Sequence, residues 1–165
     1  MGYFNMRDHF IQELNNLNQH VLTLAAKTEH AIQQAAKAIS RRCADTARKV
    51  IAGDYQIDMD EIKIESICLE ILALYQPVAS DLRHVIMLLK INNEIERAAD
   101  YAVKISRNAL DMITYDLEKI EEYDFTEMAS ISREMLRSAL DSMVYRDTNM
   151  SHSVLKRDEK LDAIH

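Results

Sequence analysis

Phe10, Leu14, Leu17, Val21, Leu24, Thr28, Ala31, Ala35 and Ala38 recur in steps of three and four along the first part of the chain. That step is the period of a helix burying one face, and it predicts a first long helix. Its stripe shrinks from Leu and Val to Ala, so a neighbouring helix can approach closely at the C-terminal end. Gly53 is the expected stop, and Asp58-Met-Asp-Glu61 has the spacing of a capping box ahead of Ile62. A second helix is predicted to turn Ile57, Ile64, Ile67, Cys68, Ile71 and Leu74 inward until Pro77, the only proline, ends it. The third follows at once, with Val85, Leu88, Ile91, Ile95, Ala98, Ala102, Ile105, Ala109 and Met112 as its core stripe. Three such helices joined by short turns make an antiparallel bundle.

The pattern restarts after the acidic stretch Asp116 to Asp124. Asp124-Phe-Thr-Glu127 has the spacing of a cap, and Met128, Ile131, Met135, Leu136, Leu140 and Met143 line a fourth helix. The restart is a repeat: Val50-Ile51-x-x-Asp54-x-x-Ile57-Asp58 returns as Val154-Leu155-x-x-Asp158-x-x-Leu161-Asp162. At the same offset Ile32 aligns with Leu136, Ala35 with Ala139 and Arg42 with Arg146. Paired aspartates at a fixed offset are better explained by duplication than by chance matching of apolar positions. The counterparts of Glu96 and Asp100 would fall about 35 residues beyond His165, so one unit is expected complete, residues 1–115, and a second partial, residues 116–165.

Composition agrees with an all-α chain. Apolar residues are 48% of it, and two glycines and one proline leave little turn chemistry, so long helices must hold most residues. With 20 basic and 27 acidic residues the formal charge is -7, which disfavours nucleic-acid and anionic-membrane surfaces. No apolar run is long enough for a membrane span and the N-terminus lacks a signal-peptide core, so a cytoplasmic protein without membrane insertion is expected. Cys43 and Cys68 have no CxxC or Cys/His ligand spacing and read as buried structural thiols. Neither a Ser-His-Asp, GxSxG nor a Walker pattern occurs. Nine methionines suit adaptable protein docking, although Met59, Met87, Met128 and Met143 fit a core equally well.

The chemistry concentrates in one segment. Glu96 and Asp100 stand four apart, so on a helix their carboxylates share a face and can take a hard cation together. The same spacing also suits a solvated, ion-paired face, with Lys104 one turn beyond Asp100. Asp81 near a helix N-terminus stabilises the dipole, and Arg83 can pair with an acid of a neighbouring helix. Pro77 fixes the turn into the third helix. A ferritin-like carboxylate-bridged metal enzyme is an alternative class, but its Glu-x-x-His pairs are missing. A generic helical interaction scaffold is another.

Pro77-Val-Ala-Ser-Asp81-Leu-Arg83, then Leu89-Lys-Ile91, then Glu96-Arg97-Ala-Ala-Asp100 resembles the signature of the PhoU family of phosphate-uptake regulators, with similarity from about Phe10 to Met112. The resemblance implies tandem three-helix units, here shortened in the second. It implies a non-enzymatic negative regulator of phosphate uptake and the phosphate regulon, coupling the ATPase subunit of a phosphate ABC transporter to a phosphate-responsive histidine kinase. It makes Glu96 and Asp100, with Glu94 beside them, candidate ligands for metal ions such as Mg, Mn, Zn or Fe. Where the family pattern often has Gly, His and Asn, this chain has Ala99, Tyr101 and Lys104, and a lysine beside the acids competes with a cation. An unfinished second unit exposes apolar surface, which predicts a homodimer.

Overall fold

The computed structural model describes residues 2–117, 125–145 and 148–162. It contains five helices among these residues: α1 Gly2–Ser40, α2 Ala44–Tyr75, α3 Ala79–Thr114, α4 Phe125–Tyr145 and α5 Thr148–Asp162. The first three pack against one another, α4 lies along α1, and α5 packs on α4. The chain is all-α, as its periodicity and scarcity of glycine predict. Among the described residues no helix is long and apolar enough to cross a membrane.

The core joins Leu17, Val21 and Leu24 of α1 to Ile57, Ile64 and Ile71 of α2 and Val85, Leu88 and Ile95 of α3. At the other end Ala38, Ala47 and Ala109 bury one another, which realises the close approach predicted from the shrinking α1 stripe. Two positions of the predicted α2 and α3 stripes are exposed. Leu74 is 65% exposed at the end of α2, where no helix covers it, and Ile105 is 38% exposed. On α3 the buried stripe instead runs Val85, Leu88, Asn92, Ile95, Ala99, Ala102, Ser106 and Ala109. Asn92 and Ser106 lie on this inward stripe although they are polar, and each donates a hydrogen bond in place. Ser106 Oγ donates to the Ala102 carbonyl at 2.8 Å, and Asn92 Nδ2 donates to the Glu61 carbonyl at 3.0 Å.

The first turn falls about ten residues earlier than the sequence pattern suggests. Gly53 and Asp58–Glu61 lie inside α2, and α1 ends at Ser40. The reason is a Schellman closure whose left-handed residue is Arg42, at φ 50°, rather than a glycine. Cys43 N–H donates to the Ala38 carbonyl at 3.0 Å and Arg42 N–H to the Ile39 carbonyl at 3.4 Å. The end of α3 repeats this geometry: Asp116 sits at φ 49°, and Leu117 N–H donates to the Met112 carbonyl at 3.0 Å. Arg42 stitches the two ends together, donating to the Met112 carbonyl at 3.1 Å, to the Asp116 carboxylate at 3.2 Å and to the Leu117 carbonyl. At the opposite end Gln76, at φ 44°, closes α2, and Pro77 stands in the turn before α3, as expected. Phe10 and Tyr75 brace that end, with ring centroids 5.5 Å apart. The predicted cap at Asp124 lies outside the described residues; Glu127 is in the first turn of α4.

Arg42→Ala should lower stability by about 2 kcal/mol, the loss expected when charge-assisted bonds to carbonyls are removed. Chemical denaturation read by circular dichroism measures it. Gly53→Ala should raise stability by about 0.8 kcal/mol in the same assay. A Cβ at Gly53 meets no atom within 4 Å, so the helix gains without a clash.

Candidate functional site

The α2–α3 contact sets the register of the candidate site. Asn92 of α3 bonds Glu61 of α2 through the main chain at 3.0 Å and through Oε1 at 3.3 Å. One and two turns further along α3 come Glu96 and Asp100. Because the helices are antiparallel, Asp58 and Asp54 follow Glu61 in the opposite chain direction on α2. Two ladders of acids therefore face each other along one seam.

Electrostatics record this crowding. Burial raises the Glu96 carboxyl above its usual range, and the charges of Asp100, Asp58, Glu61 and Asp54 raise it further. Asp54 is raised by burial, then by Asp58 and Asp100, with Arg107 opposing. Glu61 is raised by burial and by Glu65 and Asp58. Asn92 is fully buried at the end of the seam, and its Oδ1 has no hydrogen-bond partner. Among the described residues no three His, Cys, Asp or Glu side chains converge closely enough to enclose a metal ion unaided. What the seam offers is a row of oxygen donors under crowded negative charge, only partly offset by Arg107, and oxygen donors are the kind that hard cations prefer.

The predicted site residues divide on this geometry. Glu96 and Asp100 are half-buried on the seam. Glu94 is two residues from Glu96, roughly 200° around the helix. It is exposed and pairs with Arg97 at 3.7 Å, away from the seam. Asp81 stands in the first turn of α3, where its charge suits the helix dipole. Arg83 is exposed and makes no ion pair among the described residues; it lies two residues, just over half a turn, from the inward-facing Val85. The expected Lys104–Asp100 pair does not form. Lys104 Nζ sits 4.9 Å from the centroid of the Tyr101 ring, its neighbour three residues back, so it does not compete at the seam.

Asp54, Asp58, Glu61 and Asn92 were not read as site residues, although a signal existed. Asp54-x-x-x-Asp58 repeats the spacing of Glu96-x-x-x-Asp100 and recurs at Asp158 and Asp162. The two cysteines lie apart from the seam's acid ladders. Cys68 is buried and its thiol is pushed up to about 11 by desolvation. Cys43 is only half-buried, and its thiol is lowered by the Thr46 hydroxyl, which donates to Sγ at 3.1 Å. Two clefts also lie elsewhere: one of about 750 Å³ between α1 and α2, beside Lys27, His30 and Lys49, and one of about 930 Å³ beside Phe10 and Pro77.

Comparison with known proteins matches both the fold and the sequence. The PhoU domain family matches residues 21–109 and 125–165. A phosphate-specific transport system accessory protein PhoU homolog from Aquifex aeolicus is 30% identical over 93% of this chain, which spans 69% of that protein. The crystal structure of PhoU from Pseudomonas aeruginosa superposes with a TM-score of 0.87 at 30% identity, covering 94% of this chain and 74% of the other. The phosphate transport system regulatory protein PhoU from Streptococcus pneumoniae gives 0.83 at 26% identity, with 94% and 72% covered. With the acids of Glu96-Arg-Ala-Ala-Asp100 displayed on such a bundle, and with sequence and structure agreeing along nearly its whole length, this chain belongs to the PhoU family.

Proposed function

We propose that this chain is a negative regulator of phosphate uptake, acting as a cytoplasmic adaptor between the ATPase subunit of a phosphate ABC transporter and a phosphate-sensing histidine kinase. The observation that carries the reading is its likeness, over more than nine-tenths of its length, to proteins named as accessory or regulatory components of phosphate transport. The family is one of accessory proteins, and the chain is not an enzyme. It acts by presenting helical faces to partners. Residues 1–115 form the first unit of this adaptor and 116–165 a partial second one, a division supported by the family's two separate matches. A second copy associates through the α4–α5 side, where Leu155 is 63% exposed.

In this reading the seam binds a divalent cation through Glu96 and Asp100 of α3 and Asp54 and Asp58 of α2, and Glu94 stays outside the set. Carboxylate and amide oxygens without imidazole or thiolate suit Mg or Mn better than Zn or an iron cluster. The cation would relieve the repulsion that raises these carboxyls and draw α2 and α3 together.

In cells, deleting the gene should derepress alkaline phosphatase in phosphate-rich medium, and restoring this chain should return repression. Unchanged repression on deletion would sink the adaptor reading. In vitro, Mn²⁺ titration followed by calorimetry should show binding that Glu96→Ala with Asp100→Ala weakens at least tenfold. The pH dependence has a definite sign. Acids whose folded pKa is raised favour folding most below their unfolded values, near 4, and that stability is lost as pH rises through the raised folded values. Without metal, the melting temperature at pH 7 should therefore rise by roughly 1–2 °C on Glu96→Gln, and the gain should vanish below pH 4 in a pH series of thermal melts.

A further inference from the structure

The third helix sorts its charges by face. Glu96 and Asp100 lie half-buried at the α2 boundary, whereas Arg83, Lys90, Arg97 and Lys104 stand seven residues apart and are all exposed. Seven residues fall about 20° short of two full turns, so the four cations keep to one arc of roughly 60° with about 10.5 Å between successive rungs. That arc lies opposite the buried stripe that runs from Val85 to Ala109. Between Arg83 and Lys104 it holds Ile86 and Tyr101 and no acid. Glu94 stands at its edge and is taken up by Arg97 at 3.7 Å. Arg83, Lys90 and Lys104 make no ion pair among the described residues. Within the same residues α3 packs only on α1 and α2, so no helix covers the row.

Solvation alone does not ask for this order. Exposed helix cations are stabilised by acids one turn away, and a chain with 27 acidic against 20 basic residues has acids to spare. On this arc they are left out. The rungs are farther apart than the roughly 8 Å over which physiological salt screens charge, so the row hardly repels itself and each cation can take an acid of its own.

Spacing and neighbours decide what can cover the row. A straight succession of rungs about 10.5 Å apart is the repeat of a second helix with an acid at every seventh position. An inorganic phosphate would meet one rung at a time. A nucleic-acid duplex that took α3 into its groove would raise phosphates on both sides of the helix and press them on Asp54, Asp58 and Glu61 of α2. A broad anionic membrane would meet the formal charge of -7. A single acidic helix touches the row alone, and Tyr101, 52% exposed, gives it an apolar contact beside the ion pairs.

We infer that the outer face of α3 is a docking surface for an acidic helix of another protein, one that displays Asp or Glu at seven-residue intervals. This goes beyond the adaptor reading: it concerns the surface used and the chemistry of what it holds, and binding to the purified chain tests it apart from any phosphate phenotype.

The probes are two synthetic helices of four heptads and identical composition, one with its glutamates in a seven-residue row and one with them scattered around the helix, titrated into the full chain by fluorescence anisotropy. The row helix should bind saturably, one per chain, weaken as salt is added, and bind at least fivefold more tightly than the scattered one. Lys90→Glu with Lys104→Glu should weaken it at least tenfold with helix content unchanged and transfer binding to a helix carrying a row of lysines. Lys90→Gln with Lys104→Gln serves as a second variant should the charge reversal not fold. Equal binding of the row and scattered helices, binding that survives the substitutions, no binding of either, or a dimer in sedimentation that Lys90→Glu with Lys104→Glu splits would each overturn the inference.

Discussion

Burial of the α3 stripe between α1 and α2 is the constraint on which the rest depends. Once Val85, Leu88, Ile95 and Ala102 are inside, the residues next to them on the helix are placed at the α2 boundary without further choice. Glu96 and Asp100 are such residues. They reach the seam because Ile95 and Ala99, their neighbours in sequence, are fixed in the core. The hydrogen bonds from Asn92 to Glu61 then select one sliding position of α2 against α3 among those that would fill the core equally well. A buried polar group that must find its partner discriminates between registers more sharply than interchangeable Ile and Leu contacts.

The helices and their inward faces were legible because their periodicity is strong. Where the reading failed, polarity misled it. Ser106 and Asn92 look unfit for a core, yet one donates within its own helix and the other to a neighbouring helix, and the stripe passes through both. The first turn was hidden for a related reason. A left-handed closing residue is usually announced by glycine, and here it is Arg42, held by bonds to atoms about seventy residues away in sequence. No local pattern announces such a distant partner.

The candidate site was half visible. Its α3 acids stood out by spacing and by family signature, whereas its α2 acids looked like a cap and a repeat marker. Only the antiparallel pairing shows that the two ladders oppose each other. Glu94 illustrates the converse: adjacency in sequence suggested membership, and the helical turn removes it to the Arg97 side.

Arg42 has a consequence for how the bundle meets its environment. Small proteins often tie distant chain segments with a disulfide, and such a tie opens when the surroundings become reducing. Here a guanidinium joins the first turn to the end of the third helix while Cys43, its neighbour, remains a free thiol. The bundle thus carries a cross-brace indifferent to redox state, and a chain with hardly any glycine keeps its tight turns by giving the strained residue a second task.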